Sequence, residues 1–359
     1  MTSVDPKILI VKLSAIGDVV HTLPALNALR RRYPKAHITW LVEEAAADLV
    51  VGHPALDRVL ISRRKSWLRD LRTRHWRRSL RELGAFFQAL RDTRYDMLFD
   101  FQAAIKGAAL IAMVRAQRKI GFGHGLEHQE HSYLALNERI AAVSMDIHAL
   151  KRGLMLLEAV GIPCEQIEYR LPIAEKDRQR SRHLQGNAPG GLANGPAIAV
   201  NPMAKWETKL WPSERFSRLA DRLIAKYHAT VFFTGGPDDR PVIDQIQTTM
   251  QNDSINLAGR TSLMELAALY QEMACVISTD TGPMHIAAAV GTPTAALFGP
   301  TADWRTGPFG NGHRIVSTNP QCRPCFKRSC ETTHCMGEIR VESVLEQVGE
   351  LLSEQGWRR

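Results

Sequence analysis

Residues 7–32 read K-I-L-I-V-K-L-S-A-I-G-D-V-V-H-T-L-P-A-L-N-A-L-R-R-R. The run 7–12 is short, apolar and β-branched, so it reads as a strand buried on both faces. Residues 14–18 form a turn. From 21 to 32 the apolar residues recur at helical spacing. The alternation continues with strands at 38–42 and 96–100 and a helix at 106–114. Strand–helix alternation implies a parallel sheet covered on both faces by helices. A second set follows, with strands at 197–201, 230–234, 275–278 and 294–298. Its helices are expected at 213–226, capped by Ser213, at 262–273, at 284–290, and at 341–355. Residues 175–196 are polar and rich in Gly and Pro, which reads as an interdomain linker. The expectation is an α/β protein of two Rossmann-like domains, 1–175 and 197–340, followed by a C-terminal helix within 341–359. In such a chain the ligand site is expected in the cleft between the halves, at the carboxyl ends of the strands.

The 359 residues and 45% hydrophobic content suffice for two cores. No apolar run approaches the roughly 18 residues needed to span a bilayer. Residues 1–6 lack the basic and apolar regions of a secretory signal, so a cytoplasmic protein is expected. The formal charge of +9 favours an anionic partner. Much of it is concentrated in Arg63, Arg64, Lys65, Arg69, Arg72, Arg74, Arg77, Arg78 and Arg81, against Asp70 alone. With Trp67, Leu68, Trp76 and Leu80 interleaved, 63–91 reads as an amphipathic helical excursion. It suits an anion- or membrane-facing surface, with a solvated surface helix as the plain alternative. Nucleic acid is not expected as a partner, because binding motifs and aromatic platforms are absent.

The turn K-L-S-A-I-G-D (12–18) has one glycine, Gly17, so it is not a dinucleotide fingerprint. It places Asp18 just past a strand, at the start of a helix. There it serves either as a first-turn acid or as an exposed general base. In the second half, S-T-D-T-G-P-M-H (278–285) joins a strand to a helix. Such a junction aims backbone N–H groups at an anion, with Pro283 in the first turn. This marks Asp280, Thr281, Gly282 and His285. Asp239, in G-G-P-D-D (235–239), is placed to accept hydrogen bonds from a ribose. Lys205 and Lys209 follow another strand as cationic donors. Cys322, Cys325, Cys330 and Cys335 crowd into fourteen residues. Their spacing departs from the usual zinc pattern, so they are reduced thiols or a structural metal site, not a catalytic one.

Residues 7–26 closely resemble the opening of the type I members of the lipopolysaccharide heptosyltransferase family, glycosyltransferase family 9. D-F-Q-A-A-I-K (100–106) resembles the family's D-x-Q-G-x-x-K segment, with Ala103 at the glycine. K-L-W-P (209–212) resembles its K-x-W-P motif. Residues 278–285 resemble its S-x-D-T-G-x-x-H motif, and G-P-T (299–301) follows. Asn201-Pro202 and the cysteine-rich tail look more like type II members. The resemblance implies a GT-B fold. It implies inverting, metal-independent transfer of heptose from ADP-heptose to the Kdo region of a lipid-anchored acceptor. Addition to an existing core heptose, as by type II members, is the alternative; a non-catalytic nucleotide-binding module is the distant one. By position, Asp18 matches the family's catalytic carboxylate and Lys209 its phosphate-side lysine. Asp239 matches the ribose acid, and Asp280, Thr281, Gly282 and His285 the diphosphate loop. Arg63, Arg64 and Lys65 are expected to meet the anionic Kdo-lipid A acceptor at the inner surface of the membrane. No cofactor is expected.

Overall fold

The computed structural model describes residues 5–70, 76–126, 131–186 and 195–357. The chain divides into two compact units, Met1–Pro172 and Ile173–Arg359.

The first unit runs β1 (Lys7–Val11), α1 (Ile16–Arg32), β2 (His37–Glu43), β3 (Arg58–Ser62), α2 (Arg64–Asp70), α3 (Trp76–Arg91), β4 (Arg94–Asp100), α4 (Ile105–Met113), β5 (Arg115–Phe122), β6 (Glu138–Ile140) and α5 (Ala149–Glu158). Its six strands are all parallel, in the order β3-β2-β1-β4-β5-β6. Helix α1 is buried along most of its length and packs on α5. One core cluster joins β1, β2 and β4 to α3 through Leu9, Val11, Leu41, Leu98, Phe86 and Leu90.

The second unit runs α6 (Glu175–Gly186), β7 (Ala197–Asn201), α7 (Ser213–Tyr227), β8 (Thr230–Phe233), α8 (Arg240–Thr248), β9 (Ile255–Asn256), α9 (Leu263–Gln271), β10 (Cys275–Thr279), α10 (Gly282–Ala289), β11 (Thr294–Phe298), α11 (Asp303–Thr306), β12 (His313–Ser317), α12 (His334–Gly337) and α13 (Val341–Glu354). The strand order β12-β11-β10-β7-β8-β9 repeats the order of the first sheet, read from the other edge. Its core is built by β7, β8, β10 and β11 under α7 and α13, with Trp211, Phe216, Phe233 and Leu351 buried in it.

The order of strands reverses between β1 and β4, and again between β7 and β10. At such a point the connections leave for opposite faces of the sheet, and a crevice opens beyond the strand ends.

Several expectations need correction. The linker expected over 175–196 is in part a helix. Helix α6 packs on α9, and Gln185 Nε2 and Ser181 Oγ both donate to the Glu272 carboxylate. Its only apolar residue is Leu184, and the surrounding polarity hid the helix. The first unit ends at Pro172, and α13 belongs to the second core. Ser213 is the first residue of α7, after the N-cap Pro212. The excursion at 63–91 is two helices; Arg72 and Arg74 lie outside the described residues. Strands β3, β5, β6, β9 and β12 were not expected. Four of them are edge strands and β5 lies next to an edge; all five carry half-exposed residues, unlike the long apolar run that marks a central strand.

Leu184 is fully buried. Leu184→Ala is expected to lower unfolding stability by about 2–4 kcal/mol in a urea titration. A linker leucine would show almost no change.

Candidate active site

In the first unit the site forms where the loops after β1 and β4 lie side by side. Asp100 ends β4 fully buried, and its Oδ1 accepts the N–H groups of Gln102 (2.9 Å) and Ala103 (3.1 Å). Burial pushes the Asp100 carboxyl up from its usual range, against the pull of those two N–H groups and of the Lys12 charge. Gln102 Oε1 in turn accepts from Leu13 N (2.8 Å) and Ser14 N (3.1 Å), just past β1. Lys12 Nζ donates to the Phe101 carbonyl at 3.0 Å. The two loops are therefore stitched together by groups from each.

Asp18 is the third residue of α1. Its Oδ2 accepts the Ala15 N–H at 3.0 Å and lies 3.9 Å from Lys12 Nζ. Its side chain is 45% exposed, and Oδ1 has no hydrogen bond among the described residues. A cavity of about 170 Å³ opens there, lined by Lys12, Asp18, His21, Asp100, Gln102 and Arg152 among others. The His21 and His148 rings meet edge to face, 5.0 Å apart. A carboxylate at the mouth of a crevice, one oxygen anchored and one open, is built to accept a proton.

Arg63, Arg64 and Lys65 are exposed at the end of β3. Arg63 pairs with Glu44 at 3.2 Å and Arg64 with Glu43 at 3.5 Å. Glu43 also holds Lys106 at 3.6 Å, and Lys106 Nζ donates to Ser14 Oγ. Arg64 thus shares Glu43 with the lysine of the 100–106 segment, beside the first βα turn.

In the second unit, Lys209 and Asp280 come together beyond the ends of β7 and β10. Lys209 Nζ lies 2.6 Å from Asp280 Oδ2 and 4.5 Å from the Trp206 ring centre. Thr301 Oγ1 donates to the same carboxylate oxygen at 2.6 Å. Thr281 is the N-cap of α10 and contributes no side-chain cap, so the Gly282 N–H is open to an anion, while Pro283 has no N–H and Met284 N donates to the Thr281 carbonyl at 3.2 Å. Gly282 begins the helix, and His285 is buried one turn in. Asp239 lies at the end of the 3₁₀ turn Pro237–Asp239, where its Oδ2 accepts the Gly236 N–H at 2.7 Å. Lys205 is exposed.

Sequence reasoning assigned no role to Lys12, His21, Asp100, Gln102 and Arg152, nor to Trp206 and Thr301, although Asp100, Gln102 and Thr301 stand in motifs quoted above. The signal that could have found them is strand order, since Lys12 and Asp100 are last or next past last on the two strands flanking the switch point.

Among the described residues no group of three or more His, Cys, Asp or Glu side chains is arranged to hold a metal ion. In the cysteine cluster, Cys322 and Cys330 are exposed, Cys325 half-buried and Cys335 buried. Cys335 and Met336 press against Gly299, where a Cβ would meet the Met336 side chain at 2.6 Å, so a larger residue there would require Met336 to shift.

A family profile described as "Glycosyltransferase family 9 (heptosyltransferase)" matches residues 83–336. The chain belongs to this family. It is a glycosyltransferase, and the two repeated parallel sheets are the halves of the GT-B fold. Lipopolysaccharide heptosyltransferase 1 of Pseudomonas aeruginosa is 29% identical over 328 residues, covering 90% of this chain and 87% of that protein. The solved structure titled "E. coli heptosyltransferase WaaC with ADP" superposes with a TM-score of 0.76 at 24% identity, over 96% of this chain and 99% of that one. "Structure of E. coli ADP-heptose lps heptosyltransferase II" does so with 0.75 at 20% identity, over 98% and 99%. At these identities the structural likeness establishes the shared fold. No helix among the described residues is long and apolar enough to cross a membrane.

Ala103, at the family's glycine, has φ +49°, in the left-handed region. A residue with a Cβ is strained there by about 1–2 kcal/mol. Ala103→Gly relieves this, less the entropy that glycine adds to the unfolded chain. The melting temperature of the variant is expected to rise by about 2–4 °C. The cysteines differ sharply as well. Backbone N–H groups of Thr333 and Thr332 pull the exposed Cys330 thiol down, while burial pushes Cys164 up to about 11 and Cys275 up to about 12. Iodoacetamide near neutral pH should label Cys330 well ahead of Cys164 and Cys275 by mass spectrometry of peptides.

Proposed function

We propose that this enzyme transfers heptose from ADP-heptose to the Kdo region of lipid-anchored lipopolysaccharide acceptors, with inversion and without a metal. The observation that carries the reading is Asp18, a carboxylate with one open oxygen at the β1–β4 crevice of a family 9 chain. In the proposed step Asp18 takes the proton of an acceptor hydroxyl. The oxygen attacks the anomeric carbon, and the bond from that carbon to the diphosphate breaks in the same displacement. Inversion follows from a single displacement, as at an inverting glycosidase. Lys12 Nζ stands 3.9 Å from the Asp18 carboxylate and fixes the loop through Phe101.

The departing ADP carries new charge on its diphosphate, and preorganised donors stabilise it there. The open N–H groups of Thr281 and Gly282 and the Lys209 ammonium supply them. Asp280 plays a different part from the direct phosphate contact expected of it. Its carboxylate takes Lys209 and Thr301, and it would repel a phosphate, so it positions the lysine. Asp239 would take the ribose hydroxyls. Arg63, Arg64 and Lys65 would meet acceptor carboxylates and phosphates by exchanging Glu44 and Glu43 for them. Leu68, Trp76 and Leu80 are exposed among the arginines of α2 and α3, which suits a peripheral position at an anionic membrane surface.

The resemblance of 7–26 and the 29% identity to a heptosyltransferase 1 favour the first heptose onto Kdo over addition to an existing core heptose. The test is ADP release from ADP-heptose with either Kdo-lipid A or a heptosylated core. Turnover is expected on Kdo-lipid A, falling about 10²–10⁴-fold in Asp18→Asn with ADP binding retained. Turnover on the heptosylated core alone would move the enzyme to the later step. A fully active Asp18→Asn would remove Asp18 as the base.

A further inference from the structure

Outside the candidate residues, the second unit holds an open cavity of about 400 Å³ between α7 and the start of α13. Arg215, Arg218, Arg222 and Arg340 line it, with Asp221 and Glu342 as its acids. The first three arginines lie at helical spacing on one face of α7, and Arg340 is the N-cap of α13.

The charges do not cancel. Arg222 pairs with Glu342 at 2.9 Å. The Asp221 carboxylate is taken by backbone, accepting from Gln251 N at 3.0 Å and Asn252 N at 2.9 Å. Arg215 spends one N–H on the Ile339 carbonyl, which also accepts from Trp211 Nε1 at 3.0 Å. The side chains of Arg218 and Arg340 have neither a carboxylate nor a hydrogen-bond partner among the described residues, and both residues are exposed. Arg340 gives α13 no side-chain cap, so the first N–H groups of a fourteen-residue helix open beside them. Two guanidinium groups without counter-charges, brought from two different helices into one cavity, raise its affinity for an anion.

We propose that this cavity is a second anion site, for a phosphate or diphosphate group carried on a larger molecule. Guanidinium forks arriving from two helices match an oxyanion with three or four oxygens better than a planar carboxylate, which one fork satisfies. The cavity is open, so the body of the ligand stays outside it. The phosphate comes either from an acidic lipid headgroup or from a soluble phosphate compound.

The test uses inorganic pyrophosphate as probe, titrated by calorimetry at low salt into the full chain. Three proteins are compared: wild type, the double variant Arg218→Gln/Arg340→Gln, and Lys209→Ala. Both arginines are exposed, so the double variant is expected to keep the wild-type melting temperature. A site that survives in Lys209→Ala and weakens about tenfold or more in the double variant is the expected result. Equal pyrophosphate affinity in wild type and double variant, or binding abolished by Lys209→Ala alone, would overturn the proposal. Flotation with phosphatidylglycerol vesicles then separates the sources. Recruitment reduced in the double variant identifies the headgroup, while unchanged recruitment beside weakened pyrophosphate binding identifies a soluble phosphate.

Discussion

The buried carboxylate of Asp100 and the amide of Gln102 are the hinge of the first unit. Reversal of strand order sends the chain away on opposite faces after β1 and β4, so two loops lie together with backbone N–H groups that no strand can pair. Asp100 takes two of these groups from its own loop, and Gln102 takes two from its neighbour. Without them the turn carrying Asp18 would have unpaired backbone next to a cavity. The carboxylate at 18 is placed by this stitching as much as by helix α1.

The second unit solves the same problem with different groups. Beyond β7 and β10, Asn201 Nδ2 donates to the Thr234 carbonyl at 3.0 Å and Thr279 Oγ1 to the Met203 carbonyl at 3.0 Å. The loop beyond is then tied by Lys209 and Asp280. The contrast bears on chemistry. The first unit leaves an exposed acid, while the second leaves an exposed helix end and a cation held by a buried acid. One unit is equipped to accept a proton, the other to stabilise an anion. In the proposed reading these two capacities serve one reaction, the transfer of a sugar from a nucleotide.

The ion pair of Lys209 and Asp280 also shows how little a motif says about role. Both residues stand in motif-like segments far apart in the chain, and each could contact a phosphate by itself. Placed 2.6 Å apart, they neutralise one another in part, and the carboxylate becomes the support of the ammonium. Arg63 and Arg64 are similar, since their apparent surplus of charge is partly met by Glu44 and Glu43. By contrast Arg218 and Arg340, which sit in no motif, keep their charges unmatched among the described residues.

The sequence by itself determined the central strands and the helices beside them. An apolar β-branched run and a 3.6-residue period are local properties, and 7–11, 37–43, 197–201 and 294–298 carry them plainly. It also determined the family, because several short motifs recur in order. Tertiary structure alone decided the edge strands and helix α6, whose polar residues carry no period and whose burial depends on Glu272 and α9, some ninety positions away. It alone revealed Lys12, Asp100 and Gln102 as the frame of Asp18, since those contacts span 88 or 89 positions for the loop bonds. Local pattern reports which face of an element is apolar; which charges meet across a crevice is settled only when distant strands lie side by side.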